Sequence, residues 1–253
     1  MEHLTFFGKI VPERALLDIT APTTISYEDA YTGKTDVSLH IYVNQIVIDF
    51  KFSNKDFKLI DVKNTAERIC RIVSDFSGYL YGIGYGVEIA SAINHNTGEV
   101  RVFGIQLDVT HDSTEVRATR FNELLRATAL SPFVAPALSD LTAAIRVPED
   151  TGVYCYRAFE TILHDFDQCK PEGTGVLEHM GVALNLGSAQ RLKKFLGRHA
   201  GDRRHGKPVE ISWAARKAVM KRAWLLMDRY LEYLIRNREH LPEIEFPIPT
   251  FDD

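Results

Sequence analysis

The apolar residues change their period partway along the chain. In the first half they recur at every second position: Val37, Leu39, Ile41 and Val43 alternate, and Ile46, Ile48, Phe50 and Phe52 alternate again after Asn44-Gln45. A period of two belongs to a strand with one buried face, and the one-residue phase shift between the runs calls for a tight hairpin or a bulge. From about Asp112 the spacing lengthens to three and four residues, the signature of helices that bury one stripe. A chain patterned in this way is α+β, with a mixed sheet-plus-helix domain first and an all-α bundle after it.

Between the strands, Asn64 with Glu67 three residues on reads as a capping signature, and Ile69, Ile72, Val73, Phe76 and Leu80 fall on one face of the helix that follows. A second hairpin is predicted from Val87, Ile89, Ser91 and Ile93, a turn at His95-Asn96-Thr97-Gly98, and a return over Arg101–Leu107. The glycines of Tyr81-Gly82-Ile83-Gly84-Tyr85-Gly86 follow a helix and lead into a strand. A phosphate loop runs the other way, so this segment reads as a connection without a ligand.

In the second half, Val116, Phe121, Leu124 and Leu125 suit one helix and Ala137–Ile145 another, with Pro132 and Pro136 as punctuation. Pro148-Glu149-Asp150-Thr151-Gly152 marks a boundary and a helix start, and Cys155, Phe159, Ile162, Leu163 and Phe166 form the buried stripe of the next helix. A short helix is expected over Ser188–Leu196, stopping at Gly197, then a polar loop. A long helix over about Glu210–Arg238 would bury Ala215, Val219, Ala223, Leu226, Tyr230, Tyr233 and Leu234. Pro242 and Pro247 keep the tail out of a helix. The expected organisation is residues 1–110 as an acidic sensor or partner-binding domain, 111–148 as a helical connector, and 149–253 as the helical domain with a basic face.

Composition excludes several classes. With 45% hydrophobic and 25% charged residues the chain is neither disordered nor collagen-like. The uncharged run around Gly78–Val87 ends at Glu88, far short of the ~20 apolar residues of a membrane span, and no secretory leader is visible at Met1-Glu2-His3. Three cysteines without a C-x-x-C pair argue against a disulfide framework or a structural zinc site and for a reducing cytoplasm. No H-E-x-x-H occurs, and His164-Asp165, His95 and His179 sit in ordinary contexts, so no metal or other cofactor is expected. The net charge of −4 conceals a polarity: residues 191–238 carry fourteen Lys or Arg against four acids, which is +10, leaving −14 for the rest. A basic end of this kind suits a polyanion, although a solvated helix face would look the same.

The segment Leu196-Gly197-Arg198-His199-Ala200-Gly201-Asp202-Arg203-Arg204-His205-Gly206-Lys207 concentrates two histidines and four basic side chains between two predicted helices. Histidine exchanges protons near neutral pH, and arginine offers forked donors to phosphate. Together they suit cleavage of a phosphodiester by the RNA 2′-hydroxyl without a metal. The same groups would also cap the end of a helix without any function.

At these residues the chain resembles HEPN domains, whose signature is R-x(4–6)-H just before the last long helix of a small bundle. The resemblance covers residues 149–240. The arrangement of domains is also similar to that of bacterial proteins of the methylamine-utilisation type that end in an Arg-His-Gly helical region. The resemblance implies a metal-independent endoribonuclease effector of the toxin or antiviral-defence type. Two protomers would form a homodimer with both motifs facing one cleft, with RNA as substrate and a cognate antitoxin or regulatory protein as partner. Arg198 and His205 would then be the catalytic pair, His199 the orienting residue, and Glu160 the acid holding Arg198, unless Glu160 is only a buried salt-bridge partner. Arg203, Arg204, Lys207, Lys193 and Lys194 would contact the nucleic acid. The dimer contacts would come from the Tyr230, Tyr233 and Leu234 end of the long helix or from the helix around Glu160. The alternative is a non-catalytic HEPN-like module that binds RNA, a nucleotide or a protein. Cleavage requires His205 exposed in a cleft beside Arg198, whereas binding does not.

Overall fold

The fold is that of a computed structural model, which describes residues 1–29, 32–104, 118–207 and 211–250. The chain divides into two compact units, 1–107 and 108–253.

Among the described residues the first unit is a six-stranded sheet with one helix. Its elements are β1 (Glu2–Val11), β2 (Ile19–Asp29), β3 (Gly33–Tyr42), β4 (Gln45–Phe52), α1 (Leu59–Tyr81), β5 (Gly86–Asn94) and β6 (Val100–Val102). The strand order is β2-β3-β4-β1-β5-β6, and every pairing is antiparallel. The phase shift at Asn44-Gln45 is a two-residue hairpin: Val43 and Asn44 both have positive φ, 48° and 63°, as the turn that matches strand twist demands. Asparagine tolerates this conformation, and its buried side chain is also used. Asn44 Oδ1 accepts from the Leu17 amide, while Nδ2 donates to the carbonyls of Glu13 and Ala15, so the turn anchors the β1–β2 connection. The second hairpin also forms, with Gly98 at φ 72° in its turn. Its expected return beyond Gly104 lies outside the described residues.

The core lies between one sheet face and α1. Leu4, Phe6, Ile10, Val37, Leu39, Ile41, Ile46, Ile48, Phe50 and Phe52 point inward from the strands and meet Val62, Ala66, Ile69 and Cys70. Helix α1 departs from the sequence expectation in two ways. The helix starts at Leu59, so Asn64 and Glu67 lie inside it rather than at its cap. Its buried face is also only partly the expected one: Ile69 and Val73 pack on the core, but Ile72 and Phe76 are each 63% exposed and Leu80 58%, while Ala66, Cys70, Ser74, Ser77 and Gly78 are covered. Small side chains at these positions let the helix approach its neighbours closely, and Ile72, Phe76 and Leu80 face outward. Gly82, in the left-handed conformation, ends α1 with its amide on the Gly78 carbonyl, and the glycine-rich segment is the helix-to-strand connection expected.

The second unit is helical over residues 121–235: α2 (Phe121–Leu130), α3 (Val134–Arg146), a 3-10 turn (Pro148–Asp150), α4 (Thr151–Cys169), α5 (Val176–Ala183), α6 (Ala189–Arg204) and α7 (Trp213–Ile235). Val116 and Glu210, given to helices above, fall outside the described residues. Helices α2 and α3, from the segment expected to be a connector, belong to the same compact unit as α4–α7. Helix α4 packs on α3, α5, α6 and α7 and contributes Cys155, Phe159, Ile162 and Phe166 to the core. The tail is not helical. The Leu241 amide donates to the Ala183 carbonyl at 3.0 Å and Asn185 Nδ2 to the Phe246 carbonyl at 2.7 Å, which lays the tail against the end of α5. No helix among the described residues is long and apolar enough to cross a membrane.

Candidate nucleic-acid interface

The segment expected to be a polar loop is helix. Ser188 caps α6, its hydroxyl accepting from the Arg191 amide at 3.2 Å, and the helix runs through Gly197 to Arg204 with His205 as its C-cap. Gly197 costs a helix about 1 kcal/mol relative to alanine, but here it is a packing residue. A Cβ at this position would lie 3.3 Å from Cε2 of Tyr156 on α4. Nearby, Gly152 faces the His199 carbonyl so closely that a Cβ there would come within 2.2 Å of the oxygen. Leu192, Leu196 and Ala200 complete the buried side of α6.

This helix spaces the expected catalytic residues apart. Arg198 and His205 are both exposed and lie on the same face, two turns or about 10.5 Å apart along the axis. His199 is turned about 100° away from Arg198. It is half-buried against Phe195, with ring centroids 4.9 Å apart, and the guanidinium of Arg222 lies 3.5 Å above the Phe195 ring. Burial, and then the nearby charges of Arg198 and Arg222, hold the His199 pKa below its usual value.

Glu160 serves a different group. On α4 it follows Tyr156 by one turn, and the Tyr156 hydroxyl is shared between Glu160 and Arg204, whose guanidinium lies 5.2 Å over the tyrosine ring. Burial and the Glu160 carboxylate hold the Tyr156 pKa up. Among the described residues Glu160 and Arg198 form no ion pair.

Much of the basic excess is used inside the unit. Arg216, Arg222 and Arg229 are buried. Arg216 donates to Thr151 Oγ1 at 2.8 Å, to the Ala144 carbonyl at 3.1 Å and to that of Ile145, and so satisfies carbonyls left free at the end of α3. Arg229 does the same after α5, reaching the carbonyls of Leu184, Asn185 and Pro247; burial lowers its pKa. Arg203 pairs with Asp150, Arg236 with Glu245, Arg238 with Asp165 at 3.0 Å, and Lys207 with Asp202 at 3.1 Å. Tyr230, Tyr233 and Leu234, expected to serve as dimer contacts, are buried in the core of their own chain and offer no surface.

What remains outward is a stripe. Arg191, Lys194, Arg198 and His205 are exposed, lie at i, i+3, i+7 and i+14 on α6, and span about 21 Å. Among the described residues none of these four side chains has a hydrogen bond or ion pair. Lys193 is half-buried to one side. Arg191 was not among the expected contact residues. Its spacing to Lys194 and Arg198 is legible in the sequence, but only once the helix is carried through Gly197.

No curated protein and no solved structure matches the chain. Residues 4–103 match the family model described as the N-terminal domain of DUF8168, a domain of unknown function, and residues 119–235 match the model of its C-terminal domain. Neither model is that of a HEPN domain or of a methylamine-utilisation protein. The sheet unit and the helical unit thus correspond to the two domains of one family, and the chain belongs to the DUF8168 family.

Proposed function

We propose that the helical unit is an RNA-binding module that contacts phosphates through the α6 stripe. The observation that carries this reading is the row Arg191, Lys194, Arg198, exposed and, among the described residues, without hydrogen-bond or ion-pair partners, in a unit whose other cations are largely buried or paired. An unpaired cation at the surface gains by displacing the counterions of a phosphate chain, whereas a paired one must first break its ion pair. Of the two readings the resemblance offers, this geometry favours binding over cleavage. In one chain His205 stands two turns from Arg198, Glu160 is engaged with Tyr156, and His199 packs on Phe195. Cleavage would need a second copy to bring an arginine beside each histidine.

The test uses the full chain, EDTA and a fluorescent single-stranded RNA of mixed sequence at about 50 mM salt. The triple variant Arg191→Glu, Lys194→Glu, Arg198→Glu is expected to bind at least about ten-fold more weakly, the scale of losing three phosphate contacts. Equal affinity of wild type and triple variant would overturn the proposal. Cleavage that leaves 2′,3′-cyclic phosphate ends and vanishes in His205→Ala would restore the ribonuclease reading.

A further inference from the structure

We propose that the outer face of the N-terminal sheet carries a divalent transition-metal site formed by His3, Asp49 and His95. Strand alternation puts the three residues there. On β1, Leu4 and Phe6 face the core, so His3 and Thr5 face the opposite side. The β1–β4 register sets Thr5 directly across from Asp49, and the His95 amide donates to the His3 carbonyl at 3.0 Å. Three segments separated widely in sequence therefore deliver two imidazoles and one carboxylate to one patch.

The donor geometry is close to that of a bound ion. The ligand atoms lie within 4.8 Å of one another, and His3 Nε2 is 3.6 Å from Asp49 Oδ1. Bonds of 2.0–2.1 Å at tetrahedral angles place donor atoms about 3.4 Å apart, so the first pair already conforms. The His3 and His95 rings are stacked with centroids 4.1 Å apart, and rotation of the exposed His95 side chain completes the set. Thr5, buried beneath them, donates its hydroxyl to Asp49 Oδ1 at 2.5 Å and meets His95 Nε2 at 2.7 Å. It is a positioning residue of the kind that orients metal ligands.

The supports are rigid. His3 and Asp49 stand in central strands, and the turn holding His95 is pinned by Asn94 Oδ1, which accepts from the Asn96 amide at 2.9 Å, and by Asn96 Nδ2, which donates to the Met1 carbonyl at 3.1 Å. Two imidazoles and a carboxylate suit Zn²⁺ and related first-row ions and leave a coordination position open. His3 and Asp49 also line a cleft of about 590 Å³ whose walls include Ser26, Asp36, Ser38 and Lys51, so water can approach these two ligands from that side.

The experiment is a Co²⁺ titration of the untagged full chain after dialysis against EDTA, read by visible absorption, with Zn²⁺ as competitor. One Co²⁺ per chain, displaced by Zn²⁺, is expected. His95→Ala, which alters an exposed turn, and Asp49→Asn should each abolish saturation, and Thr5→Val should weaken binding about 10–100-fold with an unchanged circular dichroism spectrum. No saturable signal in the wild type, or binding unchanged in His95→Ala, would overturn the proposal. Should Asp49→Asn fail to fold, His95→Ala decides alone.

Discussion

Single residues in the helical unit show where charge is tolerated below the surface. Arg216 and Arg229 lie where helices end, and their guanidinium groups replace water on carbonyls that have no partner in the helix. Tyr230 joins helices by donating to Asp165 Oδ2 at 2.5 Å and meeting Ser131 Oγ at 2.8 Å, and burial raises its pKa. His199 has the opposite sign of interest. Burial and two neighbouring arginines make its imidazolium less favourable in the folded chain than in the unfolded one. The folded pKa is therefore the lower. As pH falls through the unfolded value of about 6.5, the unfolded state takes up the proton first and stability declines until the folded pKa is passed. Urea midpoints measured at intervals from about pH 7.5 to 5 should fall more steeply for wild type than for His199→Gln. Parallel curves would mean that His199 titrates alike in both states.

At the level of elements, α6 and its crossing with α4 decide the character of the site. The crossing depends on Gly152, where a methyl group would meet the His199 carbonyl at 2.2 Å, and Gly152→Ala should cost about 1–3 kcal/mol through overpacking. Gly201 lies in the same helix, and a methyl group there would have nothing within 4 Å. Gly201→Ala should then stabilise by about 0.5–1 kcal/mol, because alanine loses less backbone freedom in a helix. Urea unfolding of the two variants checks both signs. If 196–207 were a loop, Gly201→Ala would be neutral or harmful. Helix α1 illustrates the same dependence on close approach, since Ala66, Cys70, Ser74, Ser77 and Gly78 share its buried side with Val62 and Ile69 while Ile72, Phe76 and Leu80 face outward.

For the whole molecule, the charge of +10 over residues 191–238 within a chain of −4 overstates the basic surface, because much of that charge is buried or paired. Three stripe cations engaging three phosphates of a single strand give a slope of log K against log salt of about −2. Anisotropy titrations across a salt series measure it. A slope near −7, as ten phosphate contacts would produce, would require cations now held in ion pairs. The metal ligands and the stripe belong to different units, so EDTA should leave the RNA affinity unchanged.

Local pattern determined the elements. The period-two runs specify β3, β4 and the turn between them, because alternation and a phase shift are properties of neighbouring residues. The helix start at Pro148–Thr151 and the seam of α4 are legible for the same reason. Periodicity says which residues share a face, yet it does not say what that face meets. The buried side of α1, the interior arginines of α7 and the continuation of α6 through Gly197 were settled by packing, where a close approach outweighs a glycine's helix penalty of about 1 kcal/mol. Helix α7 is covered on most sides, so Arg216 and Arg229 read as solvated in the sequence although both bond carbonyls where other helices end. The grouping of residues 3, 49 and 95 depends on which strands pair, and pairing across such distances comes from the register of the whole sheet rather than from any stretch of sequence.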